Sequence, residues 1–406
     1  MNPKVWLSLA CLLGLAAWTG CTSDDDDGGG DASDAAAGAA LTLVTFNAGL
    51  LDSVGYVEQR KPFVEDAVTA LDADVVCMQE MWDADHWDDL VAANADARPY
   101  AQRLEAMPGV QGLCTLEEFA PLRECAEDNC SDPGPEGLVS CTTSSCTAEV
   151  TALSSDCVTC LIDNAEAGGF DAIEATCVGA SDAASGDEGI TPPEERSYFL
   201  GGSFGIGLLS RLEPIEQDSL VLDSSTNRRG VLYAKVDAPE LGEVALFCTH
   251  LTPDLPGLAY DGSFGSWAGE NAAHVDALLE WIDEKTRDGE PVIILGDLNT
   301  GPDGDAFEPE LPESYAELPA AGFESPYLDG ADPRCTFCGD NPLVLSADTG
   351  VDAVIDHVLL RDVDGSASAS RILDDEIMLE GDEDAGAEAE TLARSDHYGV
   401  EVQLAP

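Results

Sequence analysis

The sequence predicts an α/β protein in which β-sheet packs on β-sheet with helices outside, and three observations point there. Apolar strands recur along the chain, among them LTLVTFN at 41–47, VVCMQE at 75–80, GVLYAKVD followed closely by GEVALFCTHL, and PVIILGD at 291–297. Apolar residues at helical spacing lie between some of them, as in Val64, Ala67, Val68 and Leu71, and again in Val275, Leu278, Leu279 and Ile282. Strands and helices mix without a strict βαβ repeat, so packed layers rather than one wholly parallel sheet are expected. With 406 residues, 44% of them hydrophobic, the chain can build one large or two ordinary cores.

The first element is not part of that core. MNPKVWLSLACLLGLAAWTGC carries one Lys and then an apolar run shorter than the ~20 residues that cross a bilayer. Residues 1–20 read as a signal peptide. WTGC resembles a bacterial lipoprotein box, with Trp18 where Leu is usual, which makes Cys21 the expected lipid anchor; Thr22 after it resembles an outer-membrane address. Residues 21–40, rich in Asp, Gly and Ala, have nothing to bury and read as a flexible tether to a domain spanning 41–404. The expected location is the cell envelope, as an outer-membrane lipoprotein facing the periplasm or the cell surface, with plain secretion as the alternative.

The strands follow in order. Residues 41–47 open the domain, a helix covers Val64 to Leu71, and VVCMQE ends at Gln79-Glu80. From about 105 to 195 the composition shifts to Cys, Ser, Thr, Gly and acids without a long amphipathic pattern, so this reads as an insertion. The ordinary pattern resumes at SYFLGGSFGIGLLSRLEP. GVLYAKVD and GEVALFCTHL, joined by a short acidic loop, predict a hairpin. Late strands appear at VDAVIDHVLLR and YGVEVQL.

Charge and cysteines narrow the function classes. Eighty acidic residues against 17 basic give a formal charge of −63. A protein that grips nucleic acid by its backbone needs clusters of Lys and Arg, and the sequence has no such run. The acidity reads as a solvation surface for a salty medium. Of fourteen cysteines, setting aside Cys11 in the signal and Cys21 leaves twelve, an even number that favours disulfides in an exported chain. Cys114, Cys125, Cys130, Cys141, Cys146, Cys157, Cys160 and Cys177 are expected to staple the insertion. Zinc is the rival for the Cys157/Cys160 and Cys335/Cys338 pairs. Cys77 and Cys248 read as buried thiols: one lies three residues before Glu80, the other two before His250, and regular alternation would put them on opposite faces.

Polar residues end the apolar strands: Asn47 in VTFNAG, Glu80 in VVCMQE, His250 in FCTHL, Asp297 and Asn299 in GDLN, Asp356 in VIDHV, and Asp396-His397 in SDHYGV. GDLN alone could be a turn, since Gly, Asp and Asn are turn formers; in an extended chain Asp297 and Asn299 would face one way together. If these ends converge they form a site of hard oxygen ligands and imidazoles, an inventory that suits Mg²⁺ rather than zinc.

The order of these motifs, from the FN strand through the Q-E strand end, GLLSR, THL, GDLN, the ID strand and SDH, resembles the endonuclease/exonuclease/phosphatase superfamily. The resemblance covers about residues 41–104 and 196–404. It implies a DNase I-like four-layer α/β sandwich, two packed mixed sheets flanked by helices, interrupted here by the Cys-rich insertion. It also implies metal-assisted hydrolysis of a phosphoric ester with Mg²⁺ or Mn²⁺. Glu80 would be the main metal ligand, with Asn47 beside it and Asp396 near the metal or its waters. Asp297 would orient or deprotonate the attacking water and Asn299 would hold a phosphate oxygen. His397, held by Asp356, would be base or phosphate donor, and His250 would contact the phosphate or assist the leaving group.

Arg229, next to Arg228, is a weaker candidate for substrate contact, and an ordinary surface pair is the competing reading. His357, next to Asp356, should point to the opposite strand face and serve a structural role, while His86 in a loop and His274 on a helix are expected at the surface. Glu194, Glu195 and Tyr198 could partner His250, none favoured over the others. The expected activity is a tethered phosphodiesterase for a lipid headgroup or small phosphoester, resembling exported sphingomyelinases and phospholipase C-like enzymes. The alternatives are an extracellular nuclease and, of another class, a non-catalytic surface binding module. No protein partner is expected.

Overall fold

The computed structural model of the chain describes residues 41–51, 54–111, 113–130, 137–164, 170–178, 196–255, 258, 260, 262–344, 352–379 and 390–406. The expected signal peptide, the expected anchor Cys21 and the expected tether lie outside the described residues, as do Glu194 and Glu195.

Two mixed sheets form the centre. The first runs in the order β10 (Ser366–Ile372), β13 (Gly399–Ala405), β1 (Leu41–Asn47), β2 (Val75–Gln79), β4 (Gly207–Ser210) and β3 (Tyr100–Arg103). The second runs β5 (Pro214–Leu222), β6 (Arg229–Ala238), β7 (Gly242–His250), β8 (Val292–Asp297) and β9 (Asp356–Arg361). β1 pairs parallel with β2 and β7 parallel with β8, while the other neighbours are antiparallel, including the expected β6–β7 hairpin. A short pair, β11 (Ile377–Leu379) and β12 (Glu390–Leu392), stands apart.

Alternation along each strand sorts side chains into layers. In β1, Leu41 and Leu43 enter the core between the sheets, with Val75, Leu208, Leu246, Ile293 and Val400. Val44 and Phe46 point the other way, onto Val64 and Val68 of α1 (Val57–Ala70) and Leu90 of α2 (Ala84–Asn94). On the second sheet, Ile294 and Phe247 meet Val275, Leu278 and Ile282 of α8 (Trp267–Lys285) and Leu318 of α9 (Pro312–Ala320). A strand buried on both faces reads as a continuous apolar run, which is why VIIL lacks alternation. Helix, sheet, sheet and helix thus make the four layers. Among the described residues, no helix is long and apolar enough to cross a membrane.

The segment between β3 and β4 departs from its sequence reading. Its described residues include the helices α3 (Leu116–Asn129), α4 (Gly137–Ser145), α5 (Thr147–Val150), α6 (Ser155–Asp163) and α7 (Phe170–Cys177). They surround a separate core of Phe119, Leu122, Leu153 and Ile173 together with buried half-cystines. The helices are short and cystines fill much of their inner faces, so the apolar stripe is hard to see in the letters. Disulfides Cys114–Cys157, Cys125–Cys146, Cys130–Cys141 and Cys160–Cys177 staple it internally, as expected. Cys335 pairs with Cys338.

Cys77 and Cys248 correct the sequence reading: they form a disulfide joining the two sheets. The alternation argument failed because β2 stops at Gln79 and Glu80 adopts a left-handed φ of 57°. The backbone turns there, so counting back from Glu80 gives the wrong face for Cys77.

Candidate active site

Strand register assembles the site. Across the second sheet, His250 lies opposite Asp297 and Asp297 opposite Asp356, one row over β7, β8 and β9. Asn47 ends β1, Glu80 follows β2, and Asp396 and His397 immediately precede β13. The two sheets bring these ends to one edge, and all eight positions singled out as catalytic or metal-binding lie there.

One oxygen is the hub. Asp297 Oδ2 accepts a 2.9 Å hydrogen bond from Asn47 Nδ2 and lies 3.4 Å from His250 Nε2 and 3.9 Å from His397 Nδ1. Its Oδ1 accepts from the backbone N–H of Asn299 at 2.9 Å. GDLN is therefore both a strand end and a turn: β8 stops at Asp297, and Asn299 sits at a left-handed φ of 49°. Asn299 Nδ2 donates to Leu251 O at 2.9 Å, tying the turn to the end of β7.

Burial and neighbouring charge set the protonation pattern. Asp297 is raised to about 7, chiefly by burial and then by the charge of Asp356. His397 Nδ1 is hydrogen-bonded to Asp356 Oδ2 at 3.0 Å. Burial alone would lower this imidazole, but Asp356, Asp396 and Asp297 together raise it well above the ordinary range, so it carries a proton at neutral pH. His250 is shifted the opposite way, well down, by burial and by the positive charges of Arg229 and His397. Two imidazoles in one site are thus shifted in opposite directions.

An oxygen-rich corner flanks this hub. Glu80 Oε1 accepts from Asn47 Nδ2 at 3.3 Å, while the buried Glu80 Oε2 has no hydrogen-bond partner. Burial and then the charge of Asp396 raise Glu80. Gly49 makes room for that second acid: a Cβ there would fall 2.3 Å from Asp396 Oδ1. A buried, partner-free carboxylate oxygen within the electrostatic reach of a second acid fits a hard divalent cation such as Mg²⁺ or Mn²⁺. Asp297, Asp356 and His397 also bring possible ligand atoms within 4.8 Å of one another. There, however, His397 Nδ1 is engaged by Asp356, so the Glu80 corner, with its partner-free oxygen, fits a cation better.

The arginine pair is not a surface pair. Arg228 and Arg229 are both buried, at 6% and 4% exposure. Arg228 stacks on Tyr198 at 3.6 Å. Arg229 lies 5.8 Å over Trp82, whose ring is 6.2 Å from His250, and its Nε and Nη1 have no hydrogen-bond partner. Burial lowers its pKa against the opposing charges of Glu80, Asp297 and Glu270. An unsatisfied buried guanidinium edge beside His250 is suited to an anionic oxygen.

Arg60 was missed by the sequence reading. It is fully buried and donates to Gly55 O at 2.9 Å, Ala48 O at 3.1 Å, Arg394 O at 2.7 Å and to Gly49 O. It therefore clamps the turn after Asn47 to the segment before Asp396. Burial lowers it to about 10 against the charges of Asp396 and Glu80. Its sequence neighbourhood, VEQRKP, reads as a solvated helix face, and only the fold shows otherwise.

The remaining histidines divide. His357 is buried with Nε2 2.9 Å from Thr300 O, the structural role expected. His274 is a correction: it is 2% exposed, not a surface residue, because Asp223 O meets its Nε2 at 2.8 Å on the inner face of α8. His86 stands in the first turn of α2 rather than in a loop. Its neighbours include Glu58, 3.5 Å from Nε2.

Comparison with known proteins agrees with this architecture. No curated protein matches the sequence significantly. Among solved structures, sphingomyelinase C from Streptomyces griseocarneus is similar with a TM-score of 0.51 and 16% identity, over 90% of this chain and 99% of that one. A beta-toxin variant from Staphylococcus aureus with bound magnesium ions gives a TM-score of 0.52 and 13% identity, over 90% and 99%. At such identities the likeness shows the fold. The profile described as Endonuclease/Exonuclease/phosphatase family matches residues 44–397. That match spans most of the 406 residues, so the chain belongs to the endonuclease/exonuclease/phosphatase family, whose members are phosphoester hydrolases.

Proposed function

We propose that this chain is an exported, Mg²⁺- or Mn²⁺-dependent phosphodiesterase that favours a lipid headgroup or small phosphoester over nucleic acid. The observation that carries this reading is the convergence of Asn47, His250 and His397 on Asp297 Oδ2, beside the partner-free oxygen of Glu80. Glu80, with Asn47 and Asp396, would hold the divalent ion, which when bound supplies positive charge against the phosphate anion.

The residues then divide the work. Asp297, braced by Asn47 and the Asn299 N–H, orients the attacking water and accepts its proton at Oδ2. His397 keeps Nδ1 on Asp356 and presents its other nitrogen to a phosphate oxygen as a charged donor. Neutral His250 contacts the phosphate or the leaving oxygen, and Asn299 completes that side. Arg229 offers Nε and Nη1 to the same anion, where low local dielectric strengthens each donor.

Two features support the choice of substrate. The −63 charge opposes a polyanion, and the fold is similar to that of a sphingomyelinase C and of a magnesium-bound beta toxin. A lipid anchor at Cys21, read from the sequence, would keep the domain beside a membrane.

The test is a substrate panel. Purified residues 41–406 are offered bis-p-nitrophenyl phosphate, sphingomyelin, phosphatidylcholine and plasmid DNA, with Mg²⁺ or EDTA, at low and high salt. EDTA-sensitive hydrolysis of lipid or the small diester is expected. Preferential nicking of DNA would replace this reading with an endonuclease, and no turnover on any substrate would leave the binding-module reading. For the anchor, the full chain should partition into membranes and Cys21→Ser should not.

A further inference from the structure

Cys335 and Cys338 lie between β8 and β9, and the two residues they enclose touch both members of the Asp356–His397 pair. Thr336 Oγ1 accepts hydrogen bonds from the backbone N–H groups of Ile355 and Asp356, each at 3.1 Å. Its own backbone reaches in two further directions. Thr336 N donates to Ala353 O and Thr336 O accepts from Tyr398 N, both at 2.8 Å. Phe337 exchanges backbone hydrogen bonds with Ala353 and sets its ring 5.0 Å from the His397 imidazole. One four-residue loop therefore grips the chain entering Asp356 and the chain leaving His397.

Arg371 of β10 closes this arrangement from outside. Its Nη1 donates to Cys335 O at 2.9 Å and lies 3.4 Å from Cys338 Sγ. Its guanidinium stacks 4.4 Å from the ring of Tyr398, the residue after His397. Global stability is a weak reason for such a disulfide, because the stabilisation grows with the loop closed and this loop is the shortest of the six described. What a cross-link over three residues does supply is a rigid platform.

We propose that Thr336 and Phe337, held by the Cys335–Cys338 disulfide, are positioning residues that fix the orientation of the Asp356–His397 pair without touching substrate. The kinetic part rests on the phosphodiesterase reading; the structural part does not. A Thr hydroxyl that accepts two backbone N–H groups holds Asp356 at its main chain, and the aromatic ring limits rotation of the imidazole. Catalytic geometry is steep in distance, so a loosened mount should lower turnover more than binding.

The experiment uses the full chain and the variants Thr336→Val, Thr336→Ser and Cys335→Ala/Cys338→Ala. Mn²⁺ affinity is measured by calorimetry, kcat and KM on bis-p-nitrophenyl phosphate, and backbone mobility by amide hydrogen exchange. Thr336→Val and the double variant should lose about tenfold or more in kcat, with KM within about twofold, while Thr336→Ser recovers most of it. Mn²⁺ affinity should be unchanged, and exchange should accelerate at 353–357 and 396–398 but not at 43–47. Wild-type kcat in Thr336→Val, loss in strict proportion to the metal-binding fraction, or unaltered exchange at 353–357 would overturn the proposal. If the wild type hydrolyses no phosphoester, the functional reading falls, and exchange alone decides whether this loop holds the pair.

Discussion

Asp356 and His397, 41 residues apart in the chain, meet in a buried 3.0 Å hydrogen bond from Nδ1 to Oδ2. The carboxylate is buried in the row of strand ends, and the imidazole is held as a cation against the cost of burial. Asp356 is among the charges that raise His397, so removing the carboxylate should disable the imidazole. Asp356→Asn keeps the shape and removes the charge. Its kcat is expected to fall ~10²–10⁴-fold with KM little changed, and thermal unfolding should show that the fold persists. Near-wild-type turnover in a folded Asp356→Asn protein would exclude the role.

Asp297→Ala and His397→Ala test the hub more severely. Each is expected to remove nearly all turnover, on the order of 10³-fold or more, because each removes a group placed for proton transfer or phosphate contact. Circular dichroism and Mn²⁺ binding accompany the kinetics. A folded, active His397→Ala enzyme would show the site assignment to be wrong.

Arg60 makes a different kind of prediction. Arg60→Met removes donors from four carbonyl contacts, three of them buried, and each abandoned buried acceptor costs ~1–3 kcal/mol. A loss of several kcal/mol in denaturant unfolding is expected, with weaker Mn²⁺ binding because the turn after Asn47 and the segment before Asp396 come apart. Full metal affinity in Arg60→Met would mean that the clamp stabilises the fold alone.

The inter-sheet disulfide invites a direct measurement. Cys77 and Cys248 are 171 residues apart, and removing a bridge over so long a loop costs ~2–5 kcal/mol. Urea unfolding of Cys77→Ala/Cys248→Ala should show that loss. Since Cys248 lies two residues before His250 and Cys77 three before Glu80, kcat should fall as well.

His274 gives a pH test away from the hub. Burial lowers its folded pKa, so unfolding takes up a proton once pH drops below the unfolded value of ~6.5. Its contribution is present above that pH and is lost as pH falls towards the folded pKa. His250 and His357 are lowered by burial too and act in the same direction. His397, raised, acts oppositely: its contribution is full below ~6.5 and fades as pH rises through its folded pKa. Comparing unfolding at pH 7.5 and 5.5 should show a smaller acid loss in His274→Gln than in the wild type. Equal losses would mean that His274 titrates alike in both states.

Much of this was legible in the letters. The strand-end residues Asn47, Glu80, His250, Asp297, Asp356, Asp396 and His397 announced themselves because a polar group terminating an apolar run is conspicuous against its neighbours. The same local logic misled at Cys77 and Asn299, where it assumed that strands continue regularly. Left-handed backbone at Glu80 and Asn299 breaks the alternation, and no residue letter marks that break. Arg60 was missed and His274 misread for a related reason: on a helix, a polar residue looks like solvent-facing surface until a neighbouring segment covers it.

By itself the sequence determined the packed sheets with helices outside, the disulfide-forming cysteines and the list of groups available for chemistry, because burial pattern and residue type are local properties. Only the tertiary structure decided how those groups work together. It set His250, Asp297 and Asp356 in one row by strand register and joined the sheets beneath them with Cys77–Cys248. It also shifted His250 and His397 in opposite directions. Those outcomes depend on distance and desolvation between residues far apart in the chain, and both arise only when the sheets close.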